Sequence, residues 1–355
     1  MSLNVVPRVF VGLSGGVDSS VAALRLLERG FEVVGVFIKV WQPDWLTCSA
    51  EAERLDAMRV AAHLKIPFLT CDAEKAYRDG VAEYFIREYQ AGRTPNPDVM
   101  CNKYVKFGAF MEFAKSYGAD YIATGHYARR VDTADGAELH RGIDPNKDQS
   151  YFLWTLTPEQ LAYTLLPIGD TIKDGIRSEA LRAGVPTALK KDSQGICFLG
   201  QVDIKDFLGH YTTLEEGNVV DQSGCIIGTH SGALIYTEGQ RHGLSITVSS
   251  DSRQPHYVVG KNLATNTVMV AEQRPVLQAQ TQIFLEDVVL RQKIESGEVL
   301  EVQSRYRQAP FRVVVKSATN ETIIIEPEAE TESIASGQSC VLYRGTSCLG
   351  GGIMA

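Results

Sequence analysis

The chain has 355 residues, of which 44% are apolar and 22% charged, with a formal net charge of −8. That composition belongs to a folded globular protein and excludes a disordered or fibrous chain, while the length predicts two or three domains rather than one core. The acidic total argues against charge-driven, unspecific binding to nucleic acid, although a local basic surface is compatible with an acidic body.

The N-terminal part alternates strand and helix signals. Residues Val5–Leu13 form an apolar strand candidate. Ser19–Arg29 reads as a helix, because Val21, Leu24 and Leu27 recur at helical spacing and Gly30 is suited to end it. Val33–Ile38 is a second strand, Glu51–Leu64 a helix and Pro67–Thr70 a short third strand. A helix over Ala73–Tyr89 follows, then one over Val105–Tyr117 stopped by Gly118, then a buried strand at Tyr121–Thr124. Short apolar strands separated by helices of this length predict a mostly parallel sheet covered on both faces, an α/β domain.

Near residue 200 the texture changes. Glycine is frequent from Gly209 to Gly243, and after Val276 the strands Phe311–Lys316, Thr322–Glu326 and Ser339–Tyr343 predict a small barrel or sandwich. Boundaries near 205 and 275 divide the chain into 1–205, 206–275 and 276–355. With no basic leader before Val5–Phe10 and no apolar run near the ~20 residues that span a bilayer, a cytoplasmic protein without membrane association is expected. Seven cysteines, at 48, 71, 101, 197, 225, 340 and 348, are too sparse for a disulfide scaffold and include no CxxC zinc signature.

The strongest local signal is Gly12-Leu13-Ser14-Gly15-Gly16-Val17-Asp18-Ser19-Ser20, between a strand and a helix. Its glycines let backbone N–H groups approach an anion, Ser14, Ser19 and Ser20 add hydroxyl donors, and the helix N-terminus adds its dipole. Asp18 can hold magnesium on the phosphates, or can simply cap the helix. The string lacks the Gly-Lys-Ser/Thr ending of a Walker loop and the dinucleotide GxGxxG spacing. It resembles the SGGxDS loop of the PP-loop ATPases, which implies ATP cleavage to AMP and pyrophosphate by adenylation of a substrate oxygen.

Further motifs narrow the resemblance: Thr94-Pro95-Asn96-Pro97-Asp98-Val99-Met100-Cys101-Asn102, Ala123-Thr124-Gly125-His126-Tyr127, Lys147-Asp148-Gln149-Ser150, Lys191-Asp192-Ser193-Gln194-Gly195-Ile196-Cys197-Phe198 and Gly239-Gln240-Arg241. In this order they make the whole chain resemble the tRNA-specific 2-thiouridylase family. The resemblance implies a PP-loop ATPase domain with a parallel sheet, a small central adaptor and a C-terminal β-barrel. It implies 2-thiolation of uridine 34 in tRNAs for Lys, Glu and Gln, driven by ATP and Mg2+ without a tightly bound organic cofactor. A sulfur-relay protein or a cysteine desulfurase would donate the sulfur. Residue by residue, the resemblance makes Cys101 the catalytic cysteine, Cys197 the persulfide carrier and Asp98 the acidic residue beside the target base. It places Gly12, Leu13, Ser14, Gly15, Gly16, Val17, Asp18, Ser19, Ile38 and Gly125 on the ATP site. It places Asn96, Pro97, Asp98, His126, Lys147, Asp148, Gln149, Arg305, Tyr306 and Gln338 near the tRNA.

The residues alone leave alternatives open. Cys101 and Cys197 could be buried structural thiols, Asp98 a turn residue, His126 a satisfied core histidine, and Lys147-Asp148 a turn-stabilising pair. A position near a helix start would favour the Cys101 thiolate. Arg305, Arg307, Arg312 and Lys316 alternate with Tyr306, Phe311 and Val315, which could present cations and an aromatic ring to RNA. The neighbouring acidic run Glu326–Glu330 is expected to turn away from it. Two other readings remain: another PP-loop ATPase such as an amidating ligase, and an RNA-binding protein that retains a phosphate loop.

Overall fold

The computed structural model describes residues 6–46, 50–191, 203–247 and 255–355. Strands β1 (Arg8–Gly12), β2 (Glu32–Lys39), β3 (Phe68–Asp72) and β4 (Tyr121–Ala123) precede a hairpin, β5 (Ala128–Thr133) and β6 (Gly136–Arg141), and then β7 (Thr164–Leu165). Five of them make a wholly parallel sheet in the order β3-β2-β1-β4-β7. Alternation along the strands serves two cores: Val9, Val11, Val33 and Phe37 pack on one face, Phe10, Val34 and Val36 on the other. Chain order reverses between β1 and β4, and the C-terminal ends of those two strands flank the crevice where such sheets receive ligands.

Two helices depart from the periodicity reading. The first is Val17–Glu28, starting two residues earlier than expected because extended Gly16 is its N-cap. The other runs continuously over residues 97–116, eight residues ahead of the expected Val105. Pro97 occupies its first turn, where a missing N–H costs nothing, and the Asn96 side chain accepts from the Val99 N–H at 3.3 Å. Its middle stretch, Cys101–Ala109, has wider π-type turns, a feature common at functional sites.

The C-terminal strands close into a six-stranded antiparallel barrel. Going round, Ile283–Leu290 pairs with Ile323–Pro327, then Phe311–Ala318, Val299–Gln303, Ser339–Arg344 and Ser347–Met354, which returns to Ile283–Leu290. A separate five-stranded sheet built from residues 217–271 has its own small core around Tyr236, Val258 and Val268. Hairpin β5–β6 is annexed to the barrel through Ser347↔His140, so the α/β domain and the barrel share one sheet. Across the same junction Arg291 donates to the Trp154 and Leu156 carbonyls at 2.7 and 2.9 Å. Helix Ile204–Gly209 sends Phe207 and Leu208 back into the core that holds Phe10, Val34 and Val36. Among the described residues no helix is long and apolar enough to cross a membrane.

Candidate functional site

The glycine string turns at the C-terminal end of β1, in the crevice beside β4. Gly15 has φ +69°, and a Cβ there would stand 2.7 Å from the Asp56 Cβ, so only glycine fits. Gly125 closes the crevice from β4; a Cβ on it would lie 2.7 Å from the Asp18 carbonyl carbon and the Ser19 nitrogen. Ser19 Oγ accepts from the Ser14 N–H and faces Ser14 Oγ at 3.3 Å, and Ser20 Oγ donates to the Gly16 carbonyl at 2.7 Å. Leu13 and Val17 are buried as anchors, and Ile38 lies over Gly12. Ser14 is exposed at the mouth. The residues expected at an ATP site are therefore contiguous, with a helix N-terminus aimed into the crevice.

Asp18 departs from the sequence picture of a carboxylate waiting for metal. Lys173 Nζ donates to its Oδ1 and Oδ2 at 2.8 and 2.9 Å, and Tyr127 Oη donates to Oδ1 at 2.7 Å. Tyr127 is clasped in turn: its N–H donates to Gln149 Oε1 and its carbonyl accepts from the Gln149 N–H. Gln149, expected near tRNA, thus positions the tyrosine that touches Asp18. Among the described residues no group of three His, Cys, Asp or Glu could hold a metal by itself. Asp18 fits magnesium carried on phosphates, which needs one carboxylate from the protein, once the ammonium has moved. Local sequence gave no sign of Lys173, which is 155 residues from its partner.

Asp98 and Cys101 lie one turn apart on the helix that begins at Pro97, an i,i+3 spacing that puts them on one face. Three contacts from two other parts of the molecule clasp the segment before it. The Thr94 N–H donates to the Ser336 carbonyl, the Gln338 amide donates to the Thr94 carbonyl at 2.9 Å, and Thr94 Oγ1 meets Thr237 Oγ1 at 3.0 Å. Gln338 therefore fixes the approach to the helix that carries Asp98 and Cys101. Cys101 is 1% exposed, and it sits past the first turn, where the helix dipole has largely faded. Cys101 thus stands buried and one turn inside the helix, not at the helix start that would favour its thiolate. Asn102 beside it donates to the Phe152 carbonyl at 3.0 Å. Cys197, and Cys48 with it, lie outside the described residues.

The structure sorts the residues expected near tRNA. His126 is buried, its Nδ1 2.8 Å from Thr124 Oγ1 and its ring against Phe107; desolvation, aided by Lys106, pushes its pKa well below the usual imidazole range. Asp148 accepts from the Gly142 and Ser150 N–H groups, Ser150 Oγ and Arg141, and so holds its own loop. Lys147 sits half-buried on that loop. Exposed Arg307 joins the loop by donating to the Asn146 carbonyl at 3.1 Å. Arg305 turns to the central sheet, reaching Glu332 and the Glu238 and Ser333 carbonyls, and a Cβ on Gly239 would crowd it at 3.3 Å. Tyr306 packs on Phe152, ring centroids 4.7 Å apart.

The basic cluster is a correction. Arg312 pairs with Glu328 at 3.1 Å and Lys316 with Glu326 at 2.8 Å, because antiparallel pairing brings the acidic run alongside them. The acidic run does not turn away; it neutralises half of the cluster, leaving Arg307 as its exposed cation near the α/β domain.

Residues 7–201 match the family model described as the tRNA methyl transferase HUP domain, 205–272 the tRNA methyl transferase PRC-barrel domain, and 281–354 the aminomethyltransferase beta-barrel domain. The chain is 43% identical to the tRNA-specific 2-thiouridylase MnmA of Enterococcus faecalis, over 100% of this chain and 96% of that one. It is 44% identical to the protein of that name from Proteus mirabilis, over 100% and 98%, and 45% to that from Bacillus pumilus, over 97% and 94%.

Proposed function

The chain belongs to the tRNA-specific 2-thiouridylase family, and on that premise we propose that it thiolates uridine 34 at C2 in tRNAs for Lys, Glu and Gln, consuming ATP. The observation that carries the reading is the crevice between β1 and β4, a phosphate cradle in which Gly15 and Gly125 leave no room for a Cβ, in a chain matched end to end by thiouridylases. The full-length relatives are thiouridylases and the cradle suits a polyphosphate, which favours thiolation over methyl transfer.

The uracil O2 is a poor leaving group. In the proposed reaction it attacks the α-phosphorus of ATP, and pyrophosphate departs. The loop Gly12–Ser19 holds the phosphates, Ile38 and Gly125 border the nucleotide, and magnesium supplies charge neutralisation on the phosphates. The terminal sulfur of a persulfide on Cys197 then attacks C2, and AMP leaves with the oxygen. Cys101 breaks the remaining bond by attacking Cys197, forming a Cys101–Cys197 disulfide and leaving sulfur on C2; release of sulfur first as hydrosulfide gives the same disulfide. Two equivalents of an external thiol, leaving as their own disulfide, reduce it before the next turnover. Asp98, one turn before Cys101, orients the base and its protons. Because Cys101 is buried, this reading requires tRNA binding to expose it. A sulfur-relay protein or a cysteine desulfurase loads Cys197.

The test is AMP formation that depends on unmodified tRNA. Loss of thiolation in C197S with adenylation intact separates the reading from an amidating PP-loop enzyme. With isotopically labelled donor cysteine, sulfur should reach Cys197 in C101S and no active-site cysteine in C197S. AMP release without tRNA dependence would contradict the proposal.

A further inference from the structure

We propose that Lys173 is a pyrophosphate-binding residue of the adenylation site, its ammonium held by Asp18 until a polyphosphate enters the loop and then transferred to the phosphates. The inference rests on the nucleotide reading above and names a residue that neither the loop motif nor the expected ATP contacts include.

Four observations support it. First, Lys173 Nζ lies 2.8 and 2.9 Å from the two carboxylate oxygens of Asp18, the second residue of the helix that the phosphate loop feeds. The ammonium therefore stands at the mouth of the cradle. Second, the string Gly12–Ser20 contains no lysine or arginine, whereas a Walker loop carries its own lysine for the terminal phosphates. A polyanion on N–H dipoles and hydroxyls alone lacks a cation, and Lys173 is placed to supply one. Third, the backbone of Lys173 is anchored, so a shift of its charge falls to the side chain, whose ammonium also lies 5.7 Å from the Tyr127 ring centroid. Its N–H donates to buried Asp144 Oδ2 at 2.9 Å, where the helix Lys173–Arg182 begins. Motion is thus confined to a flexible four-carbon chain ending in a compact charge.

Fourth, the pair is superfluous as a staple. The helices Val17–Glu28 and Lys173–Arg182 are already joined by Arg25, which donates to Glu179 at 2.7, 2.9 and 3.2 Å and, just before the second helix, to Asp170 and the Pro167 carbonyl at 2.8 and 3.0 Å. A second clamp at the loop end adds little cohesion. An ammonium there has a use when a phosphate arrives: the incoming charge competes with Asp18 for it, and the carboxylate so released is the one that fits a phosphate-borne metal.

The test measures binding, not turnover. Inorganic pyrophosphate and AMP are titrated calorimetrically, in metal-free buffer, into the full chain and its K173M, K173R and D18N variants, with thermal melting to confirm folding. K173M should bind pyrophosphate about tenfold or more weakly, the scale of a lost charge-assisted hydrogen bond, with AMP affinity within about twofold. K173R should keep most of the pyrophosphate affinity. D18N should bind pyrophosphate as tightly as wild type or more tightly, because the ammonium loses its competitor. A staple predicts the reverse: D18N and K173M would weaken pyrophosphate binding alike, and arginine would not rescue it. That outcome, or K173M binding pyrophosphate like wild type, overturns the proposal. Wild-type protein that binds neither probe would instead overturn the nucleotide reading beneath it.

Discussion

Gly125→Ala adds one methyl group at the tightest point of the proposed ATP site. The new Cβ would stand 2.7 Å from both the Asp18 carbonyl carbon and the Ser19 nitrogen, and 3.0 Å from the Asp18 oxygen. All three are backbone atoms in the first turn of a helix, so no side-chain rotation can relieve the contact. Either the end of β4 or the start of the helix must retreat by several tenths of an ångström. Overpacking of this kind costs about 1–3 kcal/mol, which is about 5- to 150-fold if it falls on nucleotide affinity. If it falls on stability instead, it lowers Tm by about 2–4 °C per kcal/mol for a domain of this size. The assay pairs ATP titration and AMP release with thermal melting. G260A is the control, because a Cβ on Gly260 meets nothing within 4 Å and its φ is ordinary. If G125A matched G260A in ATP affinity, AMP release and Tm, the contact between β4 and the loop would not be what shapes the site.

Cys101, at 1% exposure, should be alkylated slowly in the tRNA-free protein and at least about tenfold faster with unmodified tRNA bound, as peptide mass spectrometry would show; equal rates would remove the required opening. His126 stays neutral in the fold while the unfolded chain takes up a proton below about pH 6.5, so the unfolded state binds more protons there and stability falls as pH drops from about 7 toward 5. Chemical denaturation across that range should show a shallower slope in H126Q; an unchanged slope would assign the acid sensitivity elsewhere. R307A should reduce the salt slope of tRNA binding by up to about one unit, while R312A with K316A, already paired to Glu328 and Glu326, should change it little. The opposite ranking, measured by titration at several salt concentrations, would move the RNA face to the outer wall of the barrel.

The strand–turn–helix at Gly12–Ser20 was legible in sequence because it is a local device: glycines, hydroxyls and an acidic residue on contiguous positions between a strand and a helix. The parallel sheet was legible for a similar reason, since strands such as Val33–Ile38 are buried on both sides and read as unbroken apolar runs. What depended on distant pairing was not legible. Periodicity began the helix at Val105, yet Pro97 opens it and Asn96 caps it, and this places Cys101 a turn inside it. Hairpin β5–β6 carries Arg, Asp and Glu along much of its length, so it gave no strand signal before the barrel recruited it as an edge. Arg312 and Lys316 looked available because their acidic partners are set by the pairing of Phe311–Ala318 with Ile323–Pro327, which local composition does not reveal. Lys173 was missed because its role comes from a carboxylate on the far side of the sheet's chain order.

The most direct measurement of the central claim is nucleoside analysis of tRNA after incubation with this protein, ATP, magnesium and a persulfide donor. Unmodified tRNA for Lys, Glu or Gln is the substrate, and digestion and mass spectrometry locate the product. The account predicts 2-thiouridine at position 34, one AMP released per sulfur incorporated, and no product when ATP is withheld or Cys197 is replaced by serine. Sulfur at another nucleoside, or 2-thiouridine formed without AMP release, would contradict it.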